Sequence, residues 1–472
     1  MSPTSPLLAA LITTGLSVAL GAGCAAEEPL AGKTLAIGVV IDRTGNNSEP
    51  SWVDAIKLAR RHANLGLRQA AYRDLQFELL IADSGNEPTV ALPRAVDLVR
   101  NKGARALILD TSQNDLAVNK TYYDADPTND LDVPLQCGSC TPGSMNNPAA
   151  TDADPIAQLA LRNDKGWNFR SVMSTKAISE VLVSLMLEDG GGDANGDGAF
   201  KVAFYGSDEA FGRGAAKDLK AFLTQLHPSP PPLFEEVYHP RDADPSSYTW
   251  AEDLRVLADN LNQTTGAVDG YPDFVAVADF AQQQAAVIKA WRQGGFRPRM
   301  LHYHSMRFST VLETLGALSE GAEGVSHVLF DSGPSGEEFA SEYAAVYGES
   351  PRYRDSNYYD AAMTFMLAAV IAGVGLDDPL EVTGREIRDA LAHTSAPGGE
   401  VIGTGPEEFA RALALIEQGR PIDYQGASGP MDYDARGNVT GRLARFRAQG
   451  GAFVDIARFD CVTDPSCPQL LP

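Results

Sequence analysis

The residues whose types and spacing bear on chemistry are five cysteines, a short acidic glycine-rich run and a pair of histidines. Cys24 ends an apolar stretch, and the other four cysteines form two close pairs, Cys137 with Cys140 and Cys461 with Cys467. In an oxidising compartment two local disulfides are the economical reading. A redox-active C-x-x-C needs its pair at the start of a helix, whereas Thr141-Pro142-Gly143 reads as a turn, and a four-cysteine zinc site needs both pairs to meet in space. The run from Asp193 through Asn195 and Asp197 to Gly198 offers oxygen ligands at alternate positions, the first half of a calcium loop. Its second half is missing, because Phe204 stands where a bidentate glutamate is needed. The competing reading is a turn built of residues that tolerate positive φ, so calcium enters only as a structural clip. His302 and His304 share a face of a predicted strand, but no carboxylate lies beside them, which favours a polar cleft or packing role over metal.

Catalytic signatures are absent from the sequence. There is no HExxH, no GxSxG and no GxGxxG after the first strand, and Gly32-Lys33-Thr34 lacks the upstream glycine of a phosphate loop. The expectation is a binding protein that is not an enzyme. Lys and Arg number 38 against 62 Asp and Glu, a net charge of −24, which repels nucleic acid. The first 26 residues carry no charged side chain. Within them Leu7 to Gly23 has the length of a signal-peptide core and is short for a membrane span, an anchoring span being the alternative. Leu20-Gly21-Ala22-Gly23-Cys24 resembles the bacterial lipobox, which implies that residues 1–23 are a lipoprotein signal peptide, that Cys24 is acylated and that residues 24–32 are a tether.

The elements that must position any site follow from periodicity. Short β-branched runs, Thr34–Ile41, Leu75–Ala82, Ala104–Leu109 and Val133–Leu135, alternate with amphipathic stretches such as Trp52–Gln69, Thr89–Lys102 and Asp115–Lys120. The series resumes with helix Lys176–Leu187, strand Lys201–Tyr205, helix Gly212–Leu226, strand Phe234–Tyr238, helix Trp250–Leu261, strand Phe274–Ala278, helix Ala281–Gln293 and strand Arg299–Tyr303. This is the pattern of an α/β fold with largely parallel, doubly covered sheets. The last third reads as helices (Glu337–Tyr347, Tyr358–Val374, Gly384–His393, Glu407–Gln418) with few strands. Asp124–Asp132, Pro142–Asp154 and Pro228–Pro232 read as surface insertions.

Several strings, in shared order, resemble the type I periplasmic binding proteins, specifically the branched-chain amino acid receptors of ABC transporters. They are Trp167-Asn-Phe-Arg170, Val202 to Asp208 with Phe211-Gly212, Asp273 to Ala278, Trp291 to Gly295, Glu323-Gly324, Tyr359-Asp360-Ala361, and Tyr424 to Pro430 followed by Tyr433-Asp434 and Gly437. The resemblance implies two lobes joined by three crossovers, residues 33–167 with 328–427 forming one and 170–326 with 428–458 the other. A cysteine-containing tail, 459–472, would follow. It implies a ligand cleft between the lobes, with Thr111, Ser112, Ser139 and Thr141 holding a carboxylate and Phe211, Asp279, Phe280 and His304 facing them. Because His304 stands where the family carries an acid for the ammonium, either Asp279 takes that role or the ligand is not a standard amino acid. The implied function is an extracytoplasmic, lipid-anchored receptor that captures an amino acid or small carboxylate by hinge closure and passes it to an ABC permease. The alternative is a sensor or envelope regulatory protein that docks a protein partner. A hydrolase reading lacks a nucleophile constellation.

Overall fold

The computed structural model describes residues 32–470 apart from 71, 73, 189, 260–271 and 463–468. The signal segment, Cys24 and Cys467 therefore lie outside the described residues. The chain begins with β1 (Lys33–Ile41), α1 (Pro50–Gln69), β2 (Leu75–Asp83), α2 (Pro88–Val96), β3 (Leu107–Leu109), α3 (Ser112–Asn119), β4 (Leu135–Cys137), α4 (Pro155–Arg162) and β5 (Asn168–Arg170). These strands form one sheet in the order β2-β1-β3-β4-β5, parallel throughout. β1 is largely apolar and β3, β4 and β5 are buried along their whole length, because helices cover both faces of the sheet.

The next elements are α5 (Thr175–Glu188), β6 (Lys201–Ser207), α6 (Ala210–Leu226), β7 (Leu233–His239), α7 (Trp250–Asp259), β8 (Phe274–Ala278), α8 (Ala281–Gly294), β9 (Arg299–His302), α9 (Ser309–Leu315) and β10 (Glu323–His327). After them come α10 (Pro334–Tyr347), α11 (Asp355–Gly373), α12 (Gly384–Leu391), β11 (Glu400–Ile402), α13 (Pro406–Glu417), β12 (Ile422–Tyr424), β13 (Arg442–Gln449), β14 (Ala452–Asp460) and β15 (Gln469–Leu470). The second sheet runs β15-β14-β13-β10-β9-β8-β6-β7. Its β6–β10 part is parallel, and β13 to β15 extend it antiparallel.

The chain thus passes between the two sheets after β5, after β10 and between β12 and β13. Each sheet with its helices is called a lobe below. Helices α11 and α13 return to the first lobe, where they pack on α1 in one core containing Trp52, Phe339, Phe365 and Phe409. Helix α11 is buried on every side, its polar residues Asp355, Asn357, Asp360 and Thr364 included. A separate core fills the second lobe around Phe204, Phe274 and Leu301.

Two expectations are corrected. The last third is not poor in strands: β13 and β14 form a hairpin across Gly450-Gly451, and their alternating side chains cover the second sheet's edge beyond β10. Residues 142–154 are not a mere surface insertion, because Met145 and Ala150 pack with Cys137, Cys140 and Leu161 in a small core of their own. Helix α4 closes that segment, started by Asp154, whose carboxylate accepts the Ile156 N–H, with Pro155 in the first turn.

Candidate functional site

In a parallel sheet the loops after the strands lead into helix N-termini, so both lobes present N-terminal helix ends at one edge. Those edges face each other. The residues just before four helices, Thr111 before α3, Glu209 before α6, Phe280 before α8 and Arg354 before α11, all line one cavity between the lobes. The first lobe contributes Asn47, Thr111, Ser112, Ser139, Thr141 and Arg354; the second contributes Glu209, Phe211, Phe280, His304, Ser305 and Phe308. One wall is made of hydrogen-bonding groups, and three phenylalanine rings dominate the other.

The polar wall is held by a buried carboxylate. Asp110, at the end of β3, accepts the Asp42 N–H (2.6 Å) and the Ser84 hydroxyl (2.7 Å) on one oxygen. Its other oxygen accepts the Thr111 N–H (2.7 Å) and the Asn114 amide (2.9 Å). Burial pushes this carboxyl up to about 6 despite those donors. Asp42 in turn accepts the Gly45 and Asn47 N–H groups, which sets the β1–α1 loop and with it Asn47. Cys137 and Cys140 are joined in a disulfide with Cα atoms 5.4 Å apart, bracketing Ser139. The Ser139 hydroxyl donates to the Asp110 carbonyl, and Tyr358 of α11 donates to the same carbonyl (3.3 Å). Gly138 is required here, since a Cβ would sit 2.7 Å from the Tyr358 ring. Thr141 is tied to the second lobe's α5, its carbonyl accepting the Thr175 N–H at 2.7 Å.

On the opposite wall Phe211 lies 6.3 Å from Phe280 and 4.9 Å from the His304 ring, centroid to centroid. Phe308 reaches across to Trp52 and Tyr353 of the first lobe. Burial drives His304 well below its ordinary value, with Arg354 and His327 adding to the effect, so the ring is neutral. Glu209 caps α6 by accepting the Gly212 N–H at 3.0 Å, and burial raises its carboxyl to about 7. Several polar atoms around the cavity are buried without a hydrogen-bond partner: Thr111 Oγ1, His304 Nδ1 and all three guanidinium nitrogens of Arg354.

Seven of the eight ligand contacts expected from the sequence, Thr111, Ser112, Ser139, Thr141, Phe211, Phe280 and His304, are brought to this cavity. Asp279 is not. It is fully buried inside the second lobe, where it accepts from His239 Nε2 (2.7 Å) and from the Phe280 N–H (2.8 Å). Burial raises the Asp279 carboxyl, and Asp279 in turn raises His239 against the imidazole's own burial. Asn47, Glu209, Ser305, Phe308 and Arg354 were missed. Glu209 carried a signal, being an acidic residue two positions after β6 at a helix start.

The other chemistry-bearing groups are placed elsewhere. Asp193 accepts the Gly196, Asp197 and Gly198 N–H groups, Asn195 accepts the Asp197 N–H, and Asp197 pairs with Lys201 at 2.6 Å. Those oxygens are engaged by their own turn. His302 accepts from the Gln284 amide at Nδ1 and is neutral, burial holding it down to about 3. Among the described residues one cluster has metal-like spacing, Asp115 with Cys137 and Cys140, and its two sulfurs are bonded to each other. Cys461 is also disulfide-bonded. A wider depression of ≈ 540 Å³ on the outer side of α6 and β7 lacks unpartnered groups of the cleft's kind. There Arg213 pairs with Asp208 (2.7 Å) and Lys220 with Glu236 (3.8 Å).

The sequence profile of a family described as periplasmic binding protein matches residues 34–407, most of the chain. The chain belongs to the periplasmic binding protein family. The same two-sheet architecture recurs in the leucine-binding protein LivK of Thermotoga maritima, with a TM-score of 0.64 at 18% identity over 90% of this chain and 99% of that one. It recurs in LivJ of Streptococcus pneumoniae in complex with isoleucine (0.61, 15% identity, 93% and 99%). A solute-binding protein of Rhodopseudomonas palustris in complex with benzoate is similar as well (0.61, 14%, 90% and 96%). A shorter likeness, 38% identity over 96 residues, links this periplasmic binding protein to the chemotactic signal transduction system substrate-binding protein BasB of Halobacterium salinarum. That match spans 20% of this chain and 21% of BasB. The solutes named for these structurally similar proteins, leucine, isoleucine and benzoate, differ in kind.

Proposed function

We propose that this chain captures a small carboxylate-bearing solute, an amino acid or organic acid, between its lobes and delivers it to an ABC permease. The observation that carries the reading is the cavity itself, built from loops of both sheets and bordered by buried polar atoms that lack partners within the protein. Such atoms are costly unless a ligand completes them.

Capture proceeds by hinge motion. The cavity measures ≈ 30 Å³, room for little more than water. Contacts also bridge the two lobes: Arg241 of the second lobe pairs with Glu87 (3.1 Å) and the Asn46 amide donates to Gln283 (3.5 Å). A solute enters when these contacts part and the lobes rotate about the three crossovers. One crossover is held by His327, whose Nε2 donates to the Met173 carbonyl (2.8 Å), another by Asn357, which donates to the Ser171 carbonyl (2.7 Å). The closed form is the state a membrane partner recognises. Acylation of Cys24 keeps the receptor at the membrane, and a mass spectrum of the mature N-terminal peptide tests that step directly.

Isothermal titration of the mature chain against amino acids and small organic acids, with small-angle scattering on each ligand found, tests the reading. Saturable binding accompanied by a smaller radius of gyration is the expected result. Binding with no compaction removes the hinge. A second reading, solute sensing for signal transduction, is favoured by the local likeness to BasB. It uses the same capture event and differs in the partner, so co-purification with a permease subunit or with a signalling receptor separates the two.

A further inference from the structure

We propose that Arg354 reads the ligand's charge: its guanidinium receives the carboxylate of an organic acid that carries no compensating ammonium group. The proposal rests on the capture reading above and narrows its ligand class. It also departs from the resemblance, which implied that neutral hydroxyls and backbone N–H groups do this work.

Among the described residues three arginines are deeply buried, and they differ in one respect. Arg170 donates to the Pro142 carbonyl (3.0 Å) and to Asn438. Arg307 donates to the Ser326 hydroxyl (2.9 Å) and pairs with Asp455 (2.5 Å). Arg354, only 1% exposed, leaves Nε, Nη1 and Nη2 without a partner while lining the cavity. No carboxylate nearby is turned toward it. Asp355 faces the Ser51 hydroxyl (2.7 Å) and the Arg352 N–H (2.6 Å), and Asp42 and Asp110 are consumed by the loop amides described above. The Tyr353 ring lies under the guanidinium at 4.7 Å and leaves its hydrogen-bonding edge unused.

A lone buried cation is costly, and a second charge of opposite sign offsets that cost. The backbone at Arg354 adds a cost of its own, with φ of +77°. Among the described residues the other non-glycine positions at positive φ are all Asp or Asn, which tolerate that region, so Arg354 is the exception there. Two unfavourable features at one residue on the cavity wall are what a site completed by an anion requires. Planar guanidinium geometry suits a carboxylate, which accepts two parallel hydrogen bonds.

The rest of the cavity argues against an ammonium. Asp279 points away, and Glu209, the one carboxylate on the wall, caps the Gly212 N–H and is pushed toward its neutral form by burial. Arg354 on the first-lobe wall is a cation and His304 on the opposite wall is neutral, so the cleft repels a positive group at Arg354 and offers it no negative charge at His304. Phe211, Phe280 and Phe308 offer an apolar bed for the acid's body.

The test uses five probes, benzoate, benzamide, 4-methylpentanoate, 4-methylpentanamide and leucine, titrated against the mature wild type, Arg354→Asn and Arg354→Lys. Asn is chosen because it keeps the left-handed backbone while deleting the charge. The wild type is expected to bind each acid at least ten-fold more tightly than its amide, and 4-methylpentanoate more tightly than leucine. In Arg354→Asn the acids lose about 10- to 100-fold, the amides do not change, and Tm without ligand does not fall. Arg354→Lys recovers part of the loss. Equal binding of acid and amide, leucine as the tighter ligand, or acid affinity retained in Arg354→Asn overturns the assignment and leaves solute capture standing. If no probe binds, native mass spectrometry of the purified wild type decides: a retained organic acid released by Arg354→Asn supports the assignment, and a retained neutral or zwitterionic solute overturns it alone. A protein that neither binds nor retains any solute overturns the capture reading too.

Discussion

The two walls of the cleft solve different problems with the same topology. On the first lobe, loops after β1, β3 and β4 are pinned by buried carboxylates and a disulfide, and present donors. On the second, the loops after β6, β8 and β9 present Phe211, Phe280, Phe308 and a neutral His304, with Glu209 as the lone acid. A ligand held between them is oriented by the first wall and desolvated by the second. The difference teaches that polarity in this cleft is segregated by lobe, so that charge recognition and hinge closure can be altered separately.

The comparison is broken most severely at Asp110. Asp110→Ala strands four donors of the polar wall, and a loss of about 4 kcal/mol in urea unfolding is expected. Asp110→Asn keeps part of the network and loses less; equal losses for the two variants would show that the carboxylate is not the organiser. On the other wall Phe211→Ala removes a ring packed on Phe280 and His304, with an expected cost of about 3 kcal/mol. Its solute affinity should fall for apolar bodies without any change in acid-over-amide preference. A changed preference would mean that the walls are not independent.

Glu209 sharpens the comparison through pH. Burial raises its carboxyl from an ordinary value of 4.5 to about 7, so the folded form keeps a proton that the unfolded chain has released. Its stabilising contribution is therefore complete below 4.5 and is lost as pH rises through 7. Glu209→Gln should match the wild type near pH 4.5 and exceed it by up to about 3 kcal/mol at pH 8, read from urea midpoints at both pH values. A constant difference between variant and wild type would place Glu209 in solvent. The smallest effect is expected at Thr111, whose hydroxyl has no partner. Thr111→Val should raise ligand-free stability by about 1 kcal/mol while weakening solute binding, and a fall in Tm would show that the hydroxyl is already satisfied.

Much of this was legible in the chain. The strand and helix alternation located β1, β2, β6, β7 and β8 within a residue or two, because buried parallel strands are continuous apolar runs whose ends are marked by turn residues. The hairpin β13–β14 was equally legible, with apolar and polar residues alternating on either side of Gly450-Gly451, but residues 428–458 were assigned to the second lobe through the resemblance alone, with no strand placed in them. Strand β5 is only three residues long and its pairing with β4 is not a local property. Asp279 was misplaced because its partner, His239, lies 40 residues away at the end of a different strand.

Sequence periodicity determined the α/β fold class, and the family resemblance implied the loops that meet at the cleft, consistent with the rule that helix N-termini gather at the carboxyl ends of parallel strands. The same resemblance placed hydroxyl and aromatic residues on opposite lobes. Tertiary structure decided which charges count. Arg354 sits in an unremarkable string between two helices of the returning segment, and nothing local marks it. It becomes a buried cation without a partner only when α11 docks on the first lobe and the second lobe covers its guanidinium, since desolvation arises from the whole surroundings rather than from neighbours in the chain.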